Sequence, residues 1–109
     1  MKRPKIRVAI KLREPSVAEA GYRIPTGGNR EAEAYRAGLE RRQAEVAAQI
    51  ESLTGEPLDV VRRVTLMANV ISANVDRSEL DLIRSIPGVV SVRPERLYRP
   101  PPPPRGADK

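Results

Sequence analysis

Apolar and polar residues alternate near the start of the chain. Between residues 5 and 13 every second position is aliphatic, and the positions between them are mostly Lys or Arg. The aliphatic set is Ile6, Val8, Ile10 and Leu12. A period of two is typical of a strand whose two faces have different surroundings. The pattern therefore predicts a first strand with one buried face and one basic, solvated face.

A helical pattern follows a stretch rich in Gly and Pro. Residues 15–28 contain two Pro and three Gly and are predicted to form a long loop. Asn29 is expected to cap a helix over residues 30–53, because apolar side chains recur there at helical spacing. These side chains are Tyr35, Leu39, Val46, Ile50 and Leu53. Gly55 and Pro57 should end the helix.

Three more strands and a second helix are predicted downstream. Residues 58–66 and 70–75 are rich in β-branched side chains, which favours strands. Asp76 and Glu79 have the spacing of a capping box, so a short helix should begin there and end at a Pro-Gly pair. Its buried side chains are expected to be Leu80, Ile83 and Ile86. Residues 89–93 should form the last strand.

The element order β-α-β-β-α-β predicts an α+β, ferredoxin-like fold. We expect a four-stranded antiparallel sheet in the order 4-1-3-2, with two helices on one face and the other face uncovered. Residues 1–98 should form a single domain. Residues 99–109 should form a flexible, proline-rich tail, in which Pro100–Pro104 favour an extended polyproline conformation.

Composition argues for a binding module rather than an enzyme. The chain has 109 residues and no Cys, His, Trp or Phe. It therefore has neither a thiolate metal site nor a Cys–His or Ser–His–Asp arrangement. No pair of carboxylates has a spacing that demands catalysis, and we expect no metal, no cofactor and no catalytic residue.

The net charge of +6 is concentrated at the two ends of the chain. Residues 1–14 carry six basic and one acidic side chain, and residues 93–109 carry five basic and two acidic ones. An anionic partner facing these ends is one interpretation, and solvated termini are the other. The basic N-terminus is not followed by an apolar run of signal-peptide length, and we expect neither an export signal nor a membrane span.

Residues 64–98 carry the most specific pattern in the sequence. They read VTLMANVISANVDRSELDLIRSIPGVVSVRPERLY, which is a strand, an Asn-containing turn, a small-residue strand, a capped short helix and P-G-V-V-S-V-R-P-E. This pattern resembles the prodomain of subtilisin-like serine proteases, the inhibitor I9 family. The similarity is strongest over residues 68–95. The upstream strand and helix agree in order and kind, but not in distinctive residues.

The resemblance implies an inhibitor and folding assistant of a subtilisin-like serine protease, acting in cis or in trans. Its uncovered sheet face would pack on the protease, and the segment after the last strand would enter the active-site cleft by strand addition. The implied cleft-binding residues are Pro94, Glu95, Arg96, Leu97, Tyr98, Arg99 and Pro100. Leu97 and Tyr98 would fill pockets. The chain would be cytoplasmic if it acts alone and secreted if it is a separated prodomain.

Two departures from the family pattern and two alternatives accompany this hypothesis. The turn at residues 67–69 lacks the acidic residues that often help such prodomains dock, and the proline run is unusual. One alternative is a nucleic-acid-binding module that uses Arg7, Ala9 and Lys11 on the open sheet face, although no strand carries an aromatic side chain to stack on bases. A weaker one is an SH3-type ligand, in which Arg99 and Arg105 flank the prolines.

Overall fold

The structure is a computed structural model that describes residues 5–22 and 30–95. Within these ranges the elements follow the predicted order, and their bounds differ from the predicted ones by a residue or two, except that the second α-helix begins three residues later than predicted, after a 3-10 turn. They are β1 (Lys5–Leu12), α1 (Arg30–Thr54), β2 (Asp59–Val64), β3 (Val70–Asp76), a 3-10 turn (Arg77–Glu79), α2 (Leu80–Arg84) and β4 (Val89–Pro94).

The four strands form one antiparallel sheet in the order β2-β3-β1-β4. This arrangement confirms the predicted α+β, ferredoxin-like fold and makes the first and last strands neighbours. In the central pairing, Ile10 of β1 lies opposite Ile71 of β3 and Val92 of β4. The aliphatic positions of three strands are thereby brought to the same face of the sheet.

The main core lies between that face of the sheet and both helices. Its members are Val8, Ile10, Leu12, Ile71, Ala73, Val75 and Val92 from the strands, with Val46, Ile50, Ile83 and Ile86 from the helices and the turn that follows α2. Each large aliphatic side chain contributes about 1.5–3 kcal/mol when it is fully buried. Because the core contains no aromatic ring, its stability is the sum of many such contributions.

The predicted apolar stripe of α1 is wrong at one position and incomplete at another. Leu53 is 52% exposed, because α1 reaches the main core through Val46 and Ile50 and Leu53 lies in the last turn beyond them. Gln43, which hydropathy alone places outside the core, is fully buried on the same stripe. Polar burial of this kind requires hydrogen-bond partners. Within the described residues the Gln43 Nε2 has two, whereas its buried Oε1 has none.

The capping box before α2 is confirmed. The Asp76 carboxylate accepts a hydrogen bond from the Ser78 backbone N–H, and Glu79 Oε1 accepts one from the Asp76 N–H at 3.1 Å. These bonds satisfy amide groups that a helix start leaves without partners. Ile83 and Ile86 are buried as predicted, and Leu80 packs partly buried against the same core.

Glycine is required at position 88, at the turn into β4. Its φ is +95°, and a Cβ there would lie 2.5 Å from Nη2 of Arg42 on α1. Arg42 holds this turn by donating to the Pro87 carbonyl oxygen at 3.2 Å. The turn is therefore fixed both by its own backbone conformation and by a side chain from the long helix.

The described part of the predicted loop, residues 15–22, is a packed turn. The Val17 N–H donates to the Thr65 carbonyl oxygen, and the Tyr35 hydroxyl donates to the Pro15 carbonyl oxygen at 2.6 Å. A second apolar cluster forms beneath it from Val17, Ala32 and Leu39, with Tyr22, Tyr35 and Leu66 partly buried against them. The predicted helix cap, Asn29, lies outside the described residues.

Candidate docking surface

The sheet has a second face that the two helices leave uncovered. We call it the open face, and strand pairing defines its rows. One row crosses all four strands, from Arg93 on β4 through Ala9 and Ser72 to Arg62 on β2. The neighbouring rows are Ser91, Lys11, Val70 and Val64 on one side, and Arg7, Asn74 and Asp59 on the other. The predicted open-face residues Arg7, Ala9 and Lys11 therefore lie together.

A shallow depression of about 360 Å³ occupies the β1–β4 side of the open face. We call it the basic depression, and its lining residues are Ala9, Lys11, Val70, Val90, Ser91 and Arg93. Val90 is an extra residue in β4, where the pairing with β1 shifts register, and its side chain is 60% exposed. Bulges of this kind redirect side chains at sheet edges. Here the bulge adds an apolar wall to a cationic site.

Positive charge predominates on the open face. Arg7, Lys11, Arg62 and Arg93 contribute four cations, and no ion pair joins them to any carboxylate in residues 5–22 and 30–95. The carboxylates of Asp59 and Glu95 on this face are instead hydrogen-bonded by neutral side chains. Asn74 Nδ2 donates to Asp59 Oδ2 at 3.0 Å, and the Ser72 hydroxyl donates to Glu95 Oε1 at 2.5 Å.

The Glu19 carboxylate interacts electrostatically with Lys11. Hydrogen bonds from the Ser16 backbone N–H and, to a lesser degree, from its side chain hold the pKa of Glu19 below its ordinary value of 4.5. Lys11 lowers that pKa further by a smaller amount. Glu19 is therefore charged at neutral pH at the margin of the open face.

The chain leaves the sheet at a defined point. Pro94 is the last residue of β4 and lies opposite Val8, and the Glu95 N–H donates to the Arg7 carbonyl oxygen at 2.8 Å. The Glu95 side chain reaches across β1 to Ser72, a β3 residue that is only 1% exposed. Of the predicted cleft-binding residues, Pro94 and Glu95 are thus held by the sheet. Five of them lie outside the described residues, namely Arg96, Leu97, Tyr98, Arg99 and Pro100.

A buried polar network, which sequence reasoning missed, fixes the end of the β2–β3 hairpin. Gln43 Nε2 donates to the Val64 carbonyl oxygen and to Asn69 Oδ1, both at 2.9 Å. Asn69 Nδ2 in turn donates to the Glu14 carbonyl oxygen at 3.0 Å. The sequence holds one clue, because Gln43 lies four residues after Leu39 and on the same helical stripe.

The aromatic side chains in the described part of the chain lie away from the open face. Tyr22 and Tyr35 pack against each other in the second cluster, with ring centroids 5.1 Å apart. Burial, reinforced by the nearby Tyr22, Glu14 and Glu19, raises the pKa of the Tyr35 hydroxyl. Neither ring is therefore placed to stack on a ligand at the sheet.

Comparison with models of protein families, with curated proteins and with solved structures gives no match to this chain. Within residues 5–22 and 30–95, no cluster of three or more acidic side chains is arranged to hold a metal ion. The helices of the same ranges lack the length and apolar character that a membrane crossing requires.

Proposed function

We propose that this chain is an inhibitor, a folding assistant or both for a subtilisin-like serine protease. In this proposal the domain is not an enzyme. Its open face docks on the protease, and the segment after Glu95 occupies the active-site cleft. The observation that carries the proposal is an uncovered sheet face from whose margin the chain departs at a fixed point. The resemblance of residues 68–95 to inhibitor I9 prodomains supplies the kind of partner.

The anchoring of Glu95 supports a product-like role for the segment that follows. The backbone bond to Arg7 extends the β4 ladder by one residue past Pro94. An extended segment that continues from a sheet can pair its backbone with a cleft, where side-chain pockets provide selectivity. A fixed starting point lowers the entropy lost on binding, because fewer starting conformations have to be excluded.

An inhibition assay with and without the tail tests this proposal. The full chain and a version ending at Glu95 are titrated against a subtilisin-type serine protease, and circular dichroism verifies that both are folded. We expect the full chain to inhibit and the truncated chain to lose most of that inhibition. Equal inhibition by both would refute the tail mechanism, and no inhibition by either would refute the inhibitory role.

The proline run makes a separate contribution in this proposal. A peptide bond that precedes proline is a poor protease substrate, so Pro100–Pro104 would let the tail remain in a cleft uncut. Incubation with the protease, followed by mass spectrometry of the termini, tests the idea. Persistence of the intact chain is expected, and rapid cleavage inside residues 99–105 would contradict it.

Nucleic-acid binding is the second candidate, and the four cations of the open face are the observation in its favour. The described open face offers no aromatic ring for base stacking, which is the usual partner of such charge in single-strand recognition. Titration with a single-stranded RNA at two salt concentrations distinguishes the candidates, because phosphate contacts give a steep salt dependence.

A further inference from the structure

We propose that the basic depression binds a carboxylate-bearing protein surface, so that the partner protease is acidic beside its active-site cleft. This inference rests on the proposed function and specifies the chemistry of the partner. Lys11 and Arg93 would pair with carboxylates, and an aliphatic side chain of the partner would pack against the exposed Val90. The docking would therefore depend on charge as well as on shape.

The two cations of the basic depression, Lys11 and Arg93, form no ion pair within the described part of the chain. The carboxylates on the rest of the open face already accept hydrogen bonds, Asp59 from Asn74 and Glu95 from Ser72. Like Arg7 and Arg62, the cations of the basic depression have no ion-pair partner in the described residues, and they attract an acidic surface.

The lining of the basic depression combines charged and apolar side chains. Two small side chains contribute to the lining, Ala9 opposite Arg93 and Ser91 opposite Lys11, and the depression has a volume of about 360 Å³. Val90 projects from the bulge with 60% of its surface exposed. Exposed aliphatic side chains next to arginine are typical of protein interfaces, in which arginine is enriched and apolar contacts occupy the centre.

The same features disfavour a nucleic acid at this site. Affinity for nucleic acids comes largely from many phosphate contacts along a basic path. The cationic row instead meets the Glu95 carboxylate at Ser72, and Asp59 lies in the adjoining row. These acids would repel a phosphate backbone that runs across the sheet, whereas a protein surface can place its own charges around them.

The test uses charge neutralisation at the depression and a matched control. Lys11→Gln/Arg93→Gln removes two charges from the open face. Arg41→Gln/Arg77→Gln removes two charges from exposed positions on α1 and the 3-10 turn. The probes are two subtilisin-type proteases, one acidic and one basic beside the cleft, and a single-stranded oligouridine. Binding and inhibition are measured separately at about 50 and about 200 mM NaCl, and thermal unfolding verifies each variant.

We expect the unmodified chain to prefer the acidic protease. The depression variant should bind it roughly tenfold more weakly at low salt, because two charge pairs are lost, and the control variant should be unchanged. Lys11→Glu/Arg93→Glu should weaken binding further and shift preference toward the basic protease.

Each other outcome has a definite meaning. Equal binding by the depression and control variants would overturn the inference while leaving any inhibition, and thus the proposed function, in place. Binding to the acidic protease without inhibition would reject the inhibitory role and keep the inference. Binding to neither protease would overturn both, and tight oligouridine binding that the depression variant abolishes would assign the site to nucleic acid.

Discussion

The two faces of one strand differ completely in what they contribute to this molecule. On β1, the side chains of Val8, Ile10 and Leu12 are buried against the helices, whereas those of Arg7 and Lys11 lie on the open face. A strand sends successive side chains to opposite sides, so the six consecutive residues from Arg7 to Leu12 serve two purposes. The covered face determines the fold. The helices leave the open face uncovered, and its charged side chains are consequently available for binding.

The largest expected effect comes from breaking the covered face. Ile10→Ala should lower the free energy of unfolding by about 2–5 kcal/mol, because it leaves a cavity at the centre of the sheet. Lys11→Ala, one residue later on the other face, should change it by no more than about 0.5 kcal/mol. Urea unfolding followed by circular dichroism measures both. Similar losses in the two variants would show that the faces are not energetically distinct.

Two asparagines on β3 and its preceding turn give a second comparison. Asn69→Ala should cost at least about 2 kcal/mol, because the buried Gln43 Nε2 bond loses its acceptor and the partly buried bond to the Glu14 carbonyl oxygen is lost. Asn74→Ala on the open face removes only its exposed bond to Asp59 and should cost less than about 0.5 kcal/mol. Thermal unfolding measures the difference, and equal costs would exclude the Gln43–Asn69 network as a stabilising element.

Replacing either of two glycines by alanine should change stability in opposite directions, because one glycine has a positive φ and the other lies within a helix. Gly88→Ala should destabilise the fold by about 1–3 kcal/mol, because its φ of +95° is unfavourable for alanine and the new Cβ meets Arg42. Gly38→Ala, within α1, should stabilise it by about 0.5–1 kcal/mol, since the added Cβ lies 3.8 Å from Arg41 Nη2 in ordinary contact. Chemical unfolding of both variants checks the opposite signs; a stabilising Gly88→Ala would contradict the role of this turn.

On the open face, Ser72 is the residue whose side chain is expected to contribute to the stability of the fold. Ser72→Ala should cost about 1 kcal/mol of stability, the typical net value of a hydrogen bond, and should release the Glu95 side chain. If Glu95 fixes the start of the inhibitory segment, inhibition should weaken severalfold. Ser52→Ala, at an exposed position on α1 with no side-chain hydrogen bond in the described residues, is the control. Unchanged inhibition by Ser72→Ala would show that the bond does not position the tail.

The smallest expected effect is the pH dependence contributed by Glu19. Its pKa is lowered in the folded protein by Ser16, so its stabilising contribution is fully present above the ordinary value of 4.5 and is lost as pH falls through the folded pKa. Glu19→Gln should therefore make stability slightly less sensitive to acid. Urea midpoints on either side of pH 4.5 measure it, and identical pH profiles for the two proteins would contradict the assignment.

Local patterns were sufficient for much of this fold. The alternation in β1 and β3, the capping box at Asp76 and the Pro-Gly stop are each encoded within a few residues, and the structure has them all. The candidate surface was only partly predictable. Strand alternation placed Arg7 and Lys11 on one face, but nothing local indicated that Arg93 and Arg62 would lie in the same row, since pairing between distant strands decides that.

The sequence by itself determined the element order, the strand faces and the aliphatic character of the core, because periodicity and capping act over short distances. Only the tertiary structure decided that Gln43 is buried, that Leu53 is exposed, and that Glu95 bonds to Ser72 across β1. It also decided that residues 15–22 pack against the end of the β2–β3 hairpin. These features depend on contacts between segments far apart in the chain, where burial and hydrogen-bond satisfaction outweigh the preference of any single residue.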